Sequence, residues 1–364
     1  MIRIVSVVSN DIVTDNRIHK IAASLSENGY SVTIVGRITR NSLPLTKRVY
    51  RTKRLKLLFN RGPLFYMNLN IRLFIYLLRF RGKIILSNDL DTLPACFLAA
   101  AINKKRLVFD SHELFSEVPE LVSRPIVKGI WLGLERLLLP KIKNAFTVCD
   151  SIAAHYKQKY NVQFDVIRNL ARFRYDHEFE KTGKESDLTI ILYQGALNLG
   201  RGIEMMIESM SSITGAQLWL IGTGDIETNL KQLVKKLKLG KKVRFIGRIS
   251  LDELWHYTVQ ADIGISLEEN MGLNYQYALP NKLFDYIQGR IPVVVSDLTE
   301  MKNVVQKYNI GKILYERTPE TLSRLMNDLI ENEIEKDYYH TNLELAAREL
   351  CWEREEQKLL GIFR

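Results

Sequence analysis

The sequence predicts an α/β protein made of two doubly wound, Rossmann-like domains. Three observations carry that expectation. Short apolar runs alternate with helix-patterned segments through the first half of the chain. The same alternation restarts in the second half, and a charged stretch without apolar periodicity separates the two. A length of 364 residues also suits two cores better than one.

In order, residues 2–8 form the opening strand. A helix follows over about 15–27, with Ile18, Ile21, Ala22 and Leu25 on one face; Gly29 closes it and 31–35 is the next strand. Segments 84–87, 107–110 and 145–148 are short, apolar and followed by polar loops. Strands resume at 189–193, 217–221, 243–246, 263–266 and 291–295. The expected domains are therefore 1–168 and 188–342, with 169–187 as linker and a last helix over about 343–360 that carries Trp352 and Leu359. Sheets of this kind bind ligands outside the carboxyl ends of their strands, so a cleft faced by both domains is the expected site.

Composition narrows the class. Hydrophobic content of 46% with 26% charged residues is that of a soluble globular protein. No run reaches the roughly 18 uncharged apolar residues of a membrane span. The nearest candidate, 64–80, is interrupted by Asn68, Asn70, Arg72 and Arg79. The opening strand has no basic region ahead of a long apolar run, which argues against a signal peptide. Cys96, Cys149 and Cys351 lack close spacing and sit among apolar residues, which points to reduced thiols and a cytoplasmic setting.

Charge is uneven. Residues 1–182 hold 30 Lys and Arg against 15 Asp and Glu, whereas 183–364 hold 22 against 26. Between Asn28 and Asn88 thirteen basic residues stand with no acidic one. A positive face on one domain fits nucleic acid, anionic lipid headgroups or a phosphorylated acceptor. Tyr50, Phe59, Phe65, Tyr66, Phe74 and Tyr76 interleave with the basic residues, as at a membrane surface. The competing reading is a solvated face over a buried helix. Nucleic acid is the weakest of these, because the stretch is too apolar and follows none of the usual reading motifs.

The segment from Tyr277 to Asp297 holds the clearest chemistry. A loop ends at Leu279-Pro280, a short helix covers 281–288, Gly289 is placed to stop it, and 291–295 is a buried strand. First-turn amides, with Lys282 beside them and Asp285 one turn on, suit a nucleoside diphosphate and its ribose. Earlier, Gly195, Gly200 and Gly202 form a glycine-rich turn after a strand, and Arg201 offers a cationic fork for phosphate. The two motifs lie about 80 residues apart. Together they resemble the donor site of nucleotide-sugar glycosyltransferases, specifically glycosyltransferase family 4, whose architecture is called GT-B.

The resemblance implies a retaining, metal-independent sugar transfer from a nucleoside diphosphate sugar to a glycan or lipid-linked acceptor, in cell-envelope polysaccharide or glycolipid synthesis. It implies no cofactor beyond the donor itself, and a cytoplasmic enzyme peripheral to the inner membrane face. Arg201 matches the diphosphate-binding position, with Lys282 beside it as a second catalytic cation. Asp285 matches the acidic residue that holds the ribose. Gly195, Gly202, Arg248, Leu279 and Asn281 complete the expected donor site. His112, in Asp110-Ser111-His112-Glu113, matches a histidine that contacts the transferred sugar. Asp15, Arg17, Asp89 and Asp91 fall on the acceptor side, although Asp89 and Asp91 read more naturally as helix caps. The terminal segment 343–364 is expected to pack back towards the first domain.

Two departures stand out. The family's first acidic position falls on Tyr277, with Glu268 and Glu269 nearby as substitutes for the sugar contact. The basic residue usual after the loop glycine is Ala196. Gly222-Thr223-Gly224-Asp225 is half a dinucleotide fingerprint and reads as a structural turn near the nucleotide. No His-Glu-x-x-His or comparable spacing indicates a metal site. Two alternatives stay open: a GT-B epimerase acting on a nucleotide sugar, and a non-catalytic, membrane-recruited subunit of the same fold.

Overall fold

The computed structural model describes every residue except 14, 41, 119–120, 122–123 and 176–187, with 251–252 described in backbone only. Most of the expected linker, from 176 onward, lies outside the described residues. The chain divides into two compact units, Met1–Asn169 with Glu355–Arg364, and Leu170–Arg354.

In the first unit β1 (Arg3–Val7), β2 (Ser31–Ile38), β3 (Arg51–Lys56), β4 (Ile84–Asn88), β5 (Arg106–Ser111), β6 (Asn144–Thr147) and β7 (Asp165–Val166) form one sheet. Its order is β3-β2-β1-β4-β5-β6-β7, and every pairing is parallel. The order reverses between β1 and β4, so the loops after these strands open where a doubly wound sheet takes its ligand. β4 is buried at all five positions, as a central parallel strand must be.

The second sheet joins β8 (Thr189–Gln194), β9 (Ala216–Ile221), β10 (Val243–Gly247), β11 (Ile263–Ser266), β12 (Val293–Ser296) and β13 (Gly311–Leu314) in the order β10-β9-β8-β11-β12-β13. All its pairings are parallel as well, and its switch point lies between β8 and β11. The two sheets make this the GT-B fold.

Several expectations change. β3 escapes a hydrophobic reading because it is Arg-Thr-Lys-Arg-Leu-Lys at the sheet edge, where charge blocks pairing with another chain. β7 and β13 are too short to show a pattern. The single last helix is two, Glu333–Glu349 and Trp352–Phe363, broken at Leu350-Cys351 where the fully buried Trp352 is set. The amide of Trp352 donates to Ala171, and Tyr30 donates to Phe363 in the first unit. Gly289 does not supply the left-handed stop of the 281–288 helix: its φ is −73°, and Arg290 takes the left-handed conformation at φ +56°. A side chain at 289 would instead crowd Thr258 at 3.0 Å. Cys96, Cys149 and Cys351 are buried free thiols. Among the described residues no helix is long and apolar enough to cross a membrane.

Candidate active site

In the second unit, loops at the carboxyl ends of β8, β11, β12 and β13 converge on one carboxylate. Glu268, just past β11, has no exposure. Its Oε1 receives the Lys282 ammonium at 2.8 Å and lies 3.5 Å from the Arg201 guanidinium. Its Oε2 accepts from Ser266 at 2.7 Å. Burial opposes the charge of Glu268, but Lys282, Ser266 and Arg201 together hold the carboxyl below its usual range. Lys282 also lies 4.1 Å from the centre of the Tyr193 ring, and Arg201 over that of Tyr275.

Arg317, past β13, completes the cluster. It donates to the carbonyls of Leu267 and Glu268 at 3.0 and 3.2 Å and to Ser296 Oγ at 2.6 Å. Two cations thus meet the buried Glu268 carboxylate, and a third, Arg317, holds the backbone beside it. Glu268, a candidate substitute for the acid missing at Tyr277, is fully buried here with Lys282 on one oxygen and Ser266 on the other. Glu269 is largely exposed and stands 4.0 Å from Arg317.

Lys282 reaches the loop that holds Ala196. A β-carbon placed on Gly195 would lie 3.7 Å from Lys282 Nζ, so the lysine brings its charge to that loop from the far motif. Gly195 adopts φ +142° and Gly202 φ +69°; a side chain at 202 would strike the Leu267 carbonyl at 2.4 Å. Gly222 approaches still more closely, its virtual β-carbon 1.9 Å from the Gly195 carbonyl, which gives the 222–225 turn its structural purpose.

Lys282 and Asp285 ride on the Asn281–Gln288 helix, which Pro280 opens without a side-chain cap. Leu279 is half-buried against the core and Asn281 is exposed. Asp285 accepts from Gln194 Nε2 at 2.7 Å, and Gln194 accepts from Thr258 at 3.1 Å. Tyr286 beneath them donates to Leu192 and receives the Gln194 amide. Gln194, Gly195, Ala196, Arg248, Ile249 and Leu254 are among the residues that line a cavity of about 310 Å³.

A second cluster stands at the ends of β4 and β5 in the first unit. Asp110 is fully buried and accepts both Nε and a terminal nitrogen of Arg17, at 3.0 and 2.7 Å. Burial works against its charge, but Arg17 and His112 hold the carboxyl below its usual range. His112 gives Nε2 to Asp110 at 3.0 Å and Nδ1 to Asp89 at 3.2 Å. Burial disfavours the imidazolium, yet the two carboxylates outweigh it and raise the ring to about 9. Burial also pushes Asp89 up to about 6.

Sequence expectations for this side shift accordingly. Arg17 is 4% exposed and also donates to the Ile167 carbonyl, so it positions Asp110 instead of meeting an acceptor. Asp15 caps the Asn16–Glu27 helix through the Ile18 amide. Neither Asp89 nor Asp91 caps the Leu93–Ile102 helix, whose N-cap is Thr92. Asp89 instead turns at φ +59° and binds the His112 amide at 2.8 Å. Asp91 is 5% exposed, and burial pushes it up to about 6. Its Oδ1, like the Oδ1 of Asn88, is buried without a hydrogen-bond partner among the described residues.

Sequence reasoning missed Arg317, Ser296 and the Gln194–Thr258 pair as parts of a site. Gln194 and Ser296 end strands β8 and β12, where ligands of such sheets bind. Arg317 belongs to no motif.

With that geometry in hand, comparison with known proteins is direct. Residues 15–170 match the family described as Glycosyltransferase Family 4, and 175–345 match that described as Glycosyl transferases group 1. An uncharacterized glycosyltransferase of Methanocaldococcus jannaschii is 27% identical over 171 residues, which span 43% of this chain and 42% of that protein. Sucrose-phosphate synthase from Thermosynechococcus elongatus superposes with a TM-score of 0.82 at 16% identity, over 100% of this chain and 98% of the other. An Anabaena protein, HepE, solved in complex with UDP and glucose, gives 0.76 at 13% identity, over 100% and 99%.

Proposed function

The chain belongs to the glycosyltransferases of group 1 and family 4, GT-B enzymes that use a nucleotide sugar, and from that premise we propose a retaining, metal-independent transfer to a hydroxyl of a glycan or lipid-linked acceptor. The observation that carries this is the cationic group around Glu268 at the strand ends of the second unit. A leaving diphosphate gathers negative charge as the glycosidic bond breaks. Lys282, Arg201 and the first-turn amides of the 281–288 helix are placed to stabilise that charge, the part a divalent ion plays elsewhere. The nucleoside takes the cavity beside Gln194 and Arg248, with Asp285 receiving the ribose hydroxyls.

In the first unit, Asp91 and Asn88 each offer a buried oxygen that a ligand hydroxyl would satisfy. His112 stays charged between Asp89 and Asp110, and a sugar hydroxyl would reach its ring by displacing the partly exposed Asp89. With both oxygens of Glu268 engaged, no nucleophilic carboxylate is assigned. Front-face attack, with the departing phosphate taking the acceptor proton, fits this arrangement. The basic first unit favours a membrane-borne acceptor in envelope or glycolipid synthesis.

The test is donor turnover across UDP-, GDP-, ADP- and dTDP-sugars in the presence of EDTA, followed by NMR of the product anomer. Uridine donors head the panel because the similar HepE structure holds UDP. One donor class should turn over with EDTA present and keep its anomeric configuration. Inversion, or activity abolished by EDTA, would overturn the proposal. Conversion of the donor sugar without any acceptor would identify an epimerase instead.

A further inference from the structure

The Gly62–Arg79, Leu93–Ile102 and Pro125–Leu138 helices of the first unit pack side by side. A helix covering a sheet ordinarily turns apolar residues inward and polar ones to water. Gly62–Arg79 does not. Phe65, Leu69, Leu73 and Leu77 face the core. At spacings of three and four residues, Leu64, Met67, Ile71 and Ile75 form an outer ridge, each 43–54% exposed. Pro125–Leu138 repeats the pattern: Ile126 and Ile130 are 81% and 60% exposed, and a side chain at Gly129 or Gly133 would meet only open space. Single exposed aliphatics are ordinary, but a ridge continued on a neighbouring helix marks a binding face.

Beside the 62–79 and 93–102 helices the charge is of one sign, whereas the 125–138 helix carries the buried Glu135 and pairs Lys128 with Glu117. The 62–79 and 93–102 helices carry no Asp or Glu, and Arg61, Arg72 and Arg79 accompany the first of them. Past the second lies a cavity of about 370 Å³, lined by Lys104, Lys105, Arg106, Lys141 and Lys143 together with Phe97, and by no acidic residue. Lys105 donates to the carbonyls of Leu77 and Phe80, and Arg106 to Asn144. Among the described residues the side chains of Lys104 and Lys143 have no ion-pair or hydrogen-bond partner, although the Lys104 amide donates to Ala101.

One occupant supplies apolar depth and dense negative charge together: a bilayer with acidic headgroups. We infer that this face of the first unit docks on an anionic membrane. The two aliphatic ridges enter the headgroup boundary, and Lys104 and Lys143 bind acidic headgroups. This rests on the reading of a membrane-borne acceptor for its purpose, but it is tested apart from turnover.

The experiment is cosedimentation of the full chain with vesicles of phosphatidylcholine alone or with about 30% phosphatidylglycerol, a charge density at which basic surfaces bind acidic lipid. Binding should require the anionic lipid. The exposed double substitution Ile71→Glu and Ile75→Glu should weaken it at least tenfold. Lys104→Glu with Lys143→Glu should abolish the preference for phosphatidylglycerol. Circular dichroism checks that both variants fold, and release of diphosphate from a soluble donor should stay at the wild-type rate. Equal binding by the Ile71/Ile75 variant, or no binding by wild type, would overturn the inference even if turnover were intact. So would a lipid-free dimer, seen by light scattering, that the same substitutions dissolve. Loss of donor turnover in wild type would count against the catalytic reading and leave vesicle binding as the separate measure of this face.

Discussion

Each unit places a fully buried carboxylate past or at the end of a strand and gives it two cations. In the first, Asp110 holds Arg17 and His112; in the second, Glu268 holds Lys282 and Arg201. The clusters differ in how their charges close. In the first unit Asp89 takes the other nitrogen of His112, so two carboxylates face two cations. In the second, three cations face two carboxylates: Arg317 bonds the carbonyls of Leu267 and Glu268, and its only carboxylate neighbour among the described residues within 4.0 Å is the largely exposed Glu269. A balanced cluster has little to offer an anion and much to offer hydroxyl groups. An unbalanced one is an anion site. Under the proposed function, the same building plan would give one unit a diphosphate site and the other a site for sugar and acceptor hydroxyls.

The largest expected effect comes from breaking the balanced cluster. Arg17→Ala leaves Asp110 buried with one partner and should cost about 3–5 kcal/mol of stability. Urea unfolding checks it, and an unchanged midpoint would free Arg17 for a ligand role. Arg201 is partly exposed, so its removal should act on chemistry instead. Arg201→Ala should lower kcat by about 10²–10³-fold in single-turnover assays with little change in melting temperature. Near-normal turnover would remove Arg201 from the mechanism. Asp285→Asn should raise the donor KM by about tenfold and leave kcat closer to wild type, as expected for one charged hydrogen bond to the ribose. A loss confined to kcat would place Asp285 elsewhere in the reaction.

The smallest effect is on pH dependence. His112 titrates at about 9 in the folded protein, above its free value of about 6.5. Its stabilising contribution is therefore complete below about pH 6.5 and is lost as pH rises through about 9. Asp110, held low, acts in the opposite sense: its contribution is present at neutral pH and lost on acidification. Asp89, raised to about 6, favours the folded state in acid and loses that effect as pH climbs through 6. Urea midpoints should fall between pH 6.5 and 9, and Asp89→Asn should shift the fall to lower pH. A flat alkaline side would mean that His112 is neutral.

Much of the fold was legible because its central strands are buried on both faces and read as plain apolar runs. β3 was not, because an edge strand hides its nature under charge. The local structure of the 195–202 loop and the 281–288 helix was legible because glycines, a proline and a lysine fix backbone and charge within a few residues. Glu268 was visible only as a nearby acid. Its real position, sealed under Lys282 and Arg201, depends on side chains from residues 201 to 317 meeting at strand ends. The apparent helix caps at Asp89 and Asp91 failed for a similar reason. A short acidic side chain before a helix looks the same whether it caps the helix or holds a histidine from the next strand.

The most direct test of the unbalanced cluster is calorimetric titration of the nucleoside diphosphate selected by the donor panel. It would be run on wild type, Arg201→Ala and His112→Ala. A cationic site around Glu268 predicts similar affinity for wild type and His112→Ala, and at least tenfold weaker binding for Arg201→Ala. Undiminished binding by Arg201→Ala, or binding lost with His112 alone, would contradict it.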